Sequence, residues 1–234
     1  MRWRHQVFAD NGNKILDTPW EGDYWTPEPW WRGQTVFVLA SGPSLTQEVC
    51  DKIKGRNAIV INASFKLAPW ASVWYFTDGH IYEKYRDDVA AWPNEIVCMS
   101  KLAKQELNKQ VKRVRGEGDP AYPMDFPPLG HHSIRQGRSS GHTAASLAIA
   151  LGANRVVLLG FDMRFVEGRE HHHSEYQGPR DAMLYEREFV PGFGGWNAAA
   201  MKAGVEILNC TPGSAVAEFP FADLDEVLNG RERT

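Results

Sequence analysis

Six short runs of β-branched and aromatic residues recur along the chain, and segments with helical spacing fall between them. That alternation constrains the fold more than any other feature. The runs are TVFVLA (35–40), AIVINA (58–63), SVWYFTD (72–78), EIVCMS (95–100), RVVLLGFDM (155–163) and VEILNCTP (205–212). Several are apolar without interruption, as strands covered on both faces are. After the first, SLTQEVCDKIKG places Leu45, Val49 and Ile53 at helical spacing and stops at Gly55. HIYEKYRDDVAAW, KLAKQELNKQ, FGGWNAAAMKAG (193–204) and ADLDEVLNG (222–230) also fit helices. SSGHTAASLAIALGA (139–153) is the clearest helix, with Ser139 or Ser140 to cap it and Gly152 to end it. The order predicts an α/β, Rossmann-like domain over residues 34–234. Its sheet is mostly parallel, with helices on both faces.

Residues 1–33 fall outside that pattern. They hold Trp3, Trp20, Trp25, Trp30 and Trp31 among prolines that block regular helix. This N-terminal Trp/Pro-rich arm either packs its indoles on the main domain or offers them to a partner. Residues 114–137 are rich in Gly and Pro, have no period, and are expected to form a loop or flap. The basic run KQVKRVR (109–115) fits a solvated face, with an acidic acceptor such as DNA phosphate as its functional alternative.

Bulk properties narrow the classes. A formal net charge of -3 gives no general attraction to nucleic acid or anionic membrane. No window of about 18 apolar residues is present to span a bilayer, and the first residues lack the apolar centre of a signal peptide. Cys50, Cys98 and Cys210 are too few and too widely spaced for a disulfide framework or a zinc site. The expectation is a cytoplasmic protein with reduced, mostly buried thiols and no membrane insertion.

In parallel α/β sheets, ligands bind at the carboxyl ends of the strands. Small and polar residues collect after each strand here. They are Ser41, Gly42, Pro43 and Ser44 after the first, Asn62 after the second and Thr77, Asp78 and Gly79 after the third. Gly160 and Asp162 follow the long strand, and Asn209, Thr211 and Ser214 the last. A strand that ends in a glycine turn and enters a helix leaves backbone N–H groups directed at one spot, which suits a phosphate.

The ordered set GPSL, Asn, Ser-Ser-Gly opening a helix, G-F-D and NCTPGSA resembles the bacterial lipooligosaccharide sialyltransferases. It also resembles the archaeal-type 6-hydroxymethylpterin pyrophosphokinases and the phage and prophage proteins of the domain family that links them. The likeness runs from about Val36 to Leu228. It implies a nucleotide site in which Ser41, Gly42, Pro43 and Ser44 approach a phosphate and Asn62 meets the nucleotide's sugar or phosphate. Ser139, Ser140 and Gly141 would complete the anion site with Arg138. Gly160 and Asp162 would line the ribose or base, and Asn209, Thr211 and Ser214 would close over it. Asp78 departs from the amide expected there, and with Asp162 it would suit Mg²⁺.

Residues 164–180 read RFVEGREHHHSEYQGPR. Three adjacent histidines do not share one face, so a solvated loop is the plain reading. The resemblance implies instead a general base and neighbouring tyrosines in this segment. His171, His173 and Tyr176 are the candidates, with Tyr185 as an electrostatic partner for the leaving phosphate. A neutral imidazole suits removal of an acceptor proton near pH 7.

The leading expectation is a nucleotide-dependent transferase, a glycosyltransferase using a CMP- or NDP-sugar donor and a small-molecule or glycan acceptor. One alternative is Mg²⁺-dependent pyrophosphoryl transfer from ATP to a small alcohol. The other is a non-catalytic phage module that binds a nucleotide or a protein, in the host cytoplasm if phage-encoded. Homo-oligomerisation fits any of these.

Overall fold

The computed structural model describes residues 24–107, 110–118, 125–175 and 182–230. Among them, seven strands form one parallel sheet in the order β5-β4-β3-β2-β1-β8-β9. The strands are β1 (Thr35–Leu39), β2 (Ala58–Ile61), β3 (Val73–Phe76), β4 (Glu95–Cys98), β5 (Val111–Arg113), β8 (Arg155–Leu159) and β9 (Glu206–Asn209). The chain winds outward from β1 to β5, then returns to lay β8 on the other side of β1. That reversal sets a topological switch point between β1 and β8, where open α/β sheets form a crevice.

Both faces of the sheet are buried. Val36, Val38, Ile59, Ile61, Val73, Tyr75, Val156 and Leu158 point into one core. Their neighbours Phe37, Leu39, Ala58, Val60, Trp74, Phe76, Val157 and Leu159 point into the other. The period of two with apolar residues on both sides explains why the strands look uninterrupted.

Helix α5 (Ser140–Ala150) covers the first face, and residues 141–149 are buried throughout. Its small residues Gly141, Ala144, Ala145, Ser146 and Ala148 let it lie close against the strands. With α7 (Trp196–Lys202) it belongs to that core. The other face takes α1 (Gln47–Lys52), α2 (Gly79–Lys84), α3 (Arg86–Ala91), α4 (Lys101–Leu107) and α8 (Leu224–Asn229), which supply Cys50, Ile81, Tyr82, Val89, Ala103 and Val227. A three-residue α6 (Ala182–Leu184) runs into a turn of π-helix at Tyr185–Phe189. The α/β, Rossmann-like architecture with helices on both faces is therefore as the sequence predicts.

The described part of the arm, residues 24–33, packs on this domain. Trp31 is in the first core, and Trp25 and Trp30 lie against it. Trp25 also donates its backbone N–H to Arg113 O, extending the edge at β5. Trp3 and Trp20 lie outside the described residues. The three cysteines are buried and form no disulfide among the described residues, and burial pushes the Cys50 and Cys98 thiols up to about 12.

Three expectations need correction. The run 109–115 is not merely a solvated face: it contains β5, whose Val111 is buried. The loop expected at 114–137 carries two short strands, β6 (Arg115–Glu117) and β7 (Ser133–Arg135), paired in parallel as a separate small sheet. With only three residues each they are too short to show a period. The helix expected over HIYEKYRDDVAAW breaks at Tyr85, whose φ of -117° leaves the helical region and whose ring is buried against Phe65 and Trp74.

Arg135 on β7 is only 2% exposed. Its guanidinium lies 4.3 Å from the Trp196 ring and 5.0 Å from the Phe126 ring, and Nη1 has no hydrogen-bond partner among the described residues. Burial lowers its pKa to about 10, so it stays charged at neutral pH. A cation in an aromatic box is held by ring faces and by its apolar stem. Trp196→Ala is expected to cost about 3–5 kcal/mol. Arg135→Met, which keeps the volume and removes an incompletely paired charge, should cost about 1.5 kcal/mol or less. Urea unfolding of the two variants checks this, and equal losses would contradict it.

Candidate functional site

The turn after β1 is built by its contact with the end of β8. Gly42 donates its N–H to Gly160 O at 2.9 Å, and Ser44 donates its N–H to Asp162 Oδ1 at 3.2 Å. The Ser44 hydroxyl donates to Asp162 Oδ2 at 2.7 Å. A Cβ on Gly42 would fall 2.0 Å from Asp162 Oδ2 and 2.4 Å from Gly160 O. Gly160 has φ +71°, and a side chain there would meet Ala40 O at 2.8 Å. The glycines are required by close packing at the switch point. The anion cradled at Ser44 is the chain's own Asp162, which is 2% exposed. Gly42 and Ser44, expected at a phosphate, and Gly160, expected at the ribose or base, are held here by contacts within the chain. Asp162, expected at the ribose or base or with Asp78 at Mg²⁺, accepts from Ser44. Pro43 is buried in the same turn.

The last strand's loop is likewise turned inward. Asn209 donates from Nδ2 to Val216 O and accepts from Thr211 N–H, and Thr211 Oγ1 accepts from Phe161 N–H. The Ser214 hydroxyl donates to Phe161 O. Asn209 and Thr211 are 0% and 1% exposed, and their contacts brace the edge. Arg164, two residues after Asp162, donates to Gly213 O.

A different set faces outward at the carboxyl edge. Asn62 follows β2 with φ 51°, a left-handed conformation uncommon outside glycine. Its Oδ1 is buried and unpartnered among the described residues, and strain with an orphaned polar atom is the pattern of a functional position. Ser139 and Ser140, both half-buried, stand at the N-terminus of α5. Ser139 does not cap the helix: its hydroxyl pairs with His142 Nδ1 at 2.8 Å. Ser140 donates to Thr77 Oγ1, which also contacts the Tyr75 hydroxyl. Gly141 is buried, with Phe161 too close for a Cβ. Asp78 stands at the N-cap of α2, and Arg138 pairs with Glu188 at 3.6 Å.

The histidine stretch lies across the same edge. A tight turn at Glu167 and Gly168, both with positive φ, joins Val166 to Arg169 through two backbone hydrogen bonds. His172 then donates its N–H to Ser41 O. Its Nε2 lies 3.3 Å from Ser64 Oγ, which also bonds Ala40 O and the Ser41 hydroxyl. The rings of His171 and His173 stack with centroids 5.3 Å apart. Glu175 anchors the far end through Lys66, Lys84 and the Tyr85 hydroxyl. Its carboxyl lies well down, at about 2: burial raises it, but hydrogen bonds from Lys66 and Tyr85 and the lysine charges outweigh burial.

Two expected residues meet through one that was not expected. Tyr185 donates its hydroxyl to Glu170 Oε1 at 2.7 Å, and His171 Nε2 lies 3.5 Å from the same oxygen. Glu170 thus links both candidates, His171 and Tyr185. His173 differs: burial, then the charges of its two histidine neighbours, push it down to about 3, and burial with His171 takes His172 to about 4. Both are neutral and weakly basic. Tyr176 lies outside the described residues. Glu170, Glu175 and Ser64 were missed in the sequence, although the two acids bracket the histidine run.

Two cavities lie elsewhere. One of about 560 Å³ is lined by Trp70, Ser72, Trp92, Asn94 and Glu95, and one of about 490 Å³ by Gly33, Asn154 and Val205. Apart from Glu95, the first residue of β4, these residues precede strands, so both cavities open at the amino edge. No helix of the described residues is long and apolar enough to cross a membrane.

No protein-family model matches the chain, and no curated protein matches it. Among solved structures it is similar to the sialyltransferase CstII from Campylobacter jejuni, in complex with a substrate analogue, cytidine-5'-monophosphate. The two are 13% identical, 86% of each chain is covered, and the TM-score is 0.48. Identity this low transfers no residue role.

Two outcomes follow from this geometry. Gly42→Ala should lower stability by about 1–3 kcal/mol through overpacking against Asp162, read as a lower urea midpoint; an unchanged midpoint would contradict the packing role. The second concerns pH. His172 and His173 have folded pKa values below the usual 6.5, so the unfolded chain takes up protons first and stability is lost as pH falls from about 6.5 towards 4. Glu175 adds to this as pH falls from 4.5 towards 2. Imidazole proton NMR should show neither ring titrating above about pH 5; a midpoint near 6.5 for either would contradict the burial.

Proposed function

We infer that the chain is a nucleotide-dependent transferase of glycosyltransferase type, acting at the carboxyl edge of the sheet. The observation that carries this reading is the linked set Tyr185–Glu170–His171, held on a hairpin seated at Ser41 and Ser64 next to the left-handed Asn62. A carboxylate beside an imidazole orients the ring and favours its protonated form, which is what a general base needs. In this reading His171 takes the proton of an acceptor hydroxyl as that oxygen bonds to the donor sugar carbon. The bond from that carbon to the phosphate oxygen breaks, and the nucleotide leaves with the electron pair. Asn62, Ser139 and Ser140 bind the nucleotide, the free N–H groups at the start of α5 facing its phosphate. His172 and His173 position the hairpin. The step as written uses no metal ion, and Asp162 accepts from Ser44.

The test is a thermal-shift screen with CMP, CDP, UDP, GDP, ADP and ATP, each with and without Mg²⁺. A ligand at 100 times its Kd should stabilise the native state by about 2.7 kcal/mol. The expected result is a rise in Tm with at least one nucleotide, without Mg²⁺. His171→Ala and Glu170→Gln should keep that shift and lose about 10²–10⁴-fold in turnover of the matching sugar nucleotide. No shift with any nucleotide, or a shift with ATP that needs Mg²⁺, would overturn the reading.

A further inference from the structure

The small β6–β7 sheet, which the reading above leaves unused, gathers three metal-ligating side chains. One donor atom from each of Glu117, His131 and His132 lies within 4.8 Å of the other two. Among the described residues it is the group of three or more such side chains that meets that limit. His132 Nε2 is 3.4 Å from Glu117 Oε1. Bonds of about 2.1 Å to a tetrahedral ion place its donors about 3.4 Å apart, so this pair already has the spacing of two ligands. The adjacent histidines do not diverge: their ring centroids are 4.2 Å apart and tilted by only 34°.

A further observation concerns the residue behind the cluster. Ser133 is 1% exposed, and its hydroxyl lies 2.9 Å from His131 Nδ1. With the proton on Nδ1, His131 donates to Ser133 Oγ and His131 Nε2 presents its lone pair. Ligating histidines are oriented in this way, through the ring nitrogen that does not touch the metal. The 3.3 Å approach of Ser133 N–H to Nδ1 belongs to the other tautomer and is given up. Arg115 Nε stands 3.4 Å from Glu117 Oε1 and supplies the positive charge that an ion would replace.

We propose that Glu117, His131 and His132 bind a divalent ion of the zinc class, with Ser133 positioning His131. Two imidazoles and one carboxylate suit zinc, cobalt or nickel far better than magnesium or calcium, which prefer all-oxygen sites. The His132 side chain is 57% exposed, so the ion is reachable from solvent and its fourth position takes water. The ion ties β6 to the chain entering β7, which leads through Arg135 to the start of α5. It has no assigned part in the transfer step.

The experiment uses the full chain, freed of metal with EDTA and dialysed, then titrated calorimetrically with Zn²⁺ alone. The expected result is one ion per chain, with affinity lowered at least tenfold by His131→Ala, by His132→Ala and by Glu117→Gln. Ser133→Ala should weaken binding about 10–100-fold, and Arg115→Ala should tighten it. Unchanged circular dichroism in His132→Ala, an exposed position, keeps the comparison free of misfolding. The visible spectrum of the Co²⁺ form should show the intense bands of four- or five-coordination, lost in His132→Ala. Absence of binding would overturn the proposal. So would binding that persists in His132→Ala and disappears in His171→Ala/His173→Ala, which would assign the ion to the other histidine stretch.

Discussion

The carboxylate of Asp162 against the turn at Ser44 is the contact on which the upper edge of the sheet depends. It joins the end of β8 to the end of β1 at the point where strand order reverses. A buried carboxylate is tolerated because a backbone N–H and a hydroxyl meet it. That pairing in turn excludes a side chain at Gly42 and sets how closely Gly160 approaches Ala40. From this fixed point the neighbouring loops take their positions. Ala215 donates its N–H to Asp162 O, which ties in the loop after β9, and Ser41 O receives His172. The crevice expected at the switch point is therefore filled by the protein itself.

The histidine hairpin illustrates how neighbouring side chains of one type acquire different chemistry. His172 and His173 lose proton affinity through burial. His171 instead has Glu170 at 3.5 Å, and Glu170 is fixed by Tyr185 from the π-helical turn. Such turns often occur at functional positions. Glu175, held by two lysines and a tyrosine from the other side of the edge, keeps the hairpin over Ser64.

Much of the architecture was legible in the sequence because both faces of the sheet are buried. TVFVLA and RVVLLG can hardly be anything but inner strands, and the small residues of SSGHTAASLAIALGA match a helix pressed onto them. Three-residue strands such as β6 and β7 left no trace, since neither period can appear in so short a run. At the edge, residue type was a poorer guide. Gly42 and Thr211 have the chemistry of a ligand site, yet Gly42 packs against Asp162 and Thr211 bonds Phe161, each across 50 residues or more of sequence. Which polar group already has a partner is a property of tertiary structure. Glu170 was overlooked for the same reason: its value lies in joining His171 to Tyr185, 15 residues from Glu170 itself.

Hydrogen exchange read by mass spectrometry, with and without the stabilising nucleotide, tests most directly that this outward-facing set forms the binding edge. The account predicts slower exchange in Asn62–Lys66, at the start of α5 and across residues 170–175, with the amino-edge segments around Trp70, Trp92 and Asn154 unchanged. Protection confined to the amino edge, or absent from all three carboxyl-edge segments, would contradict it.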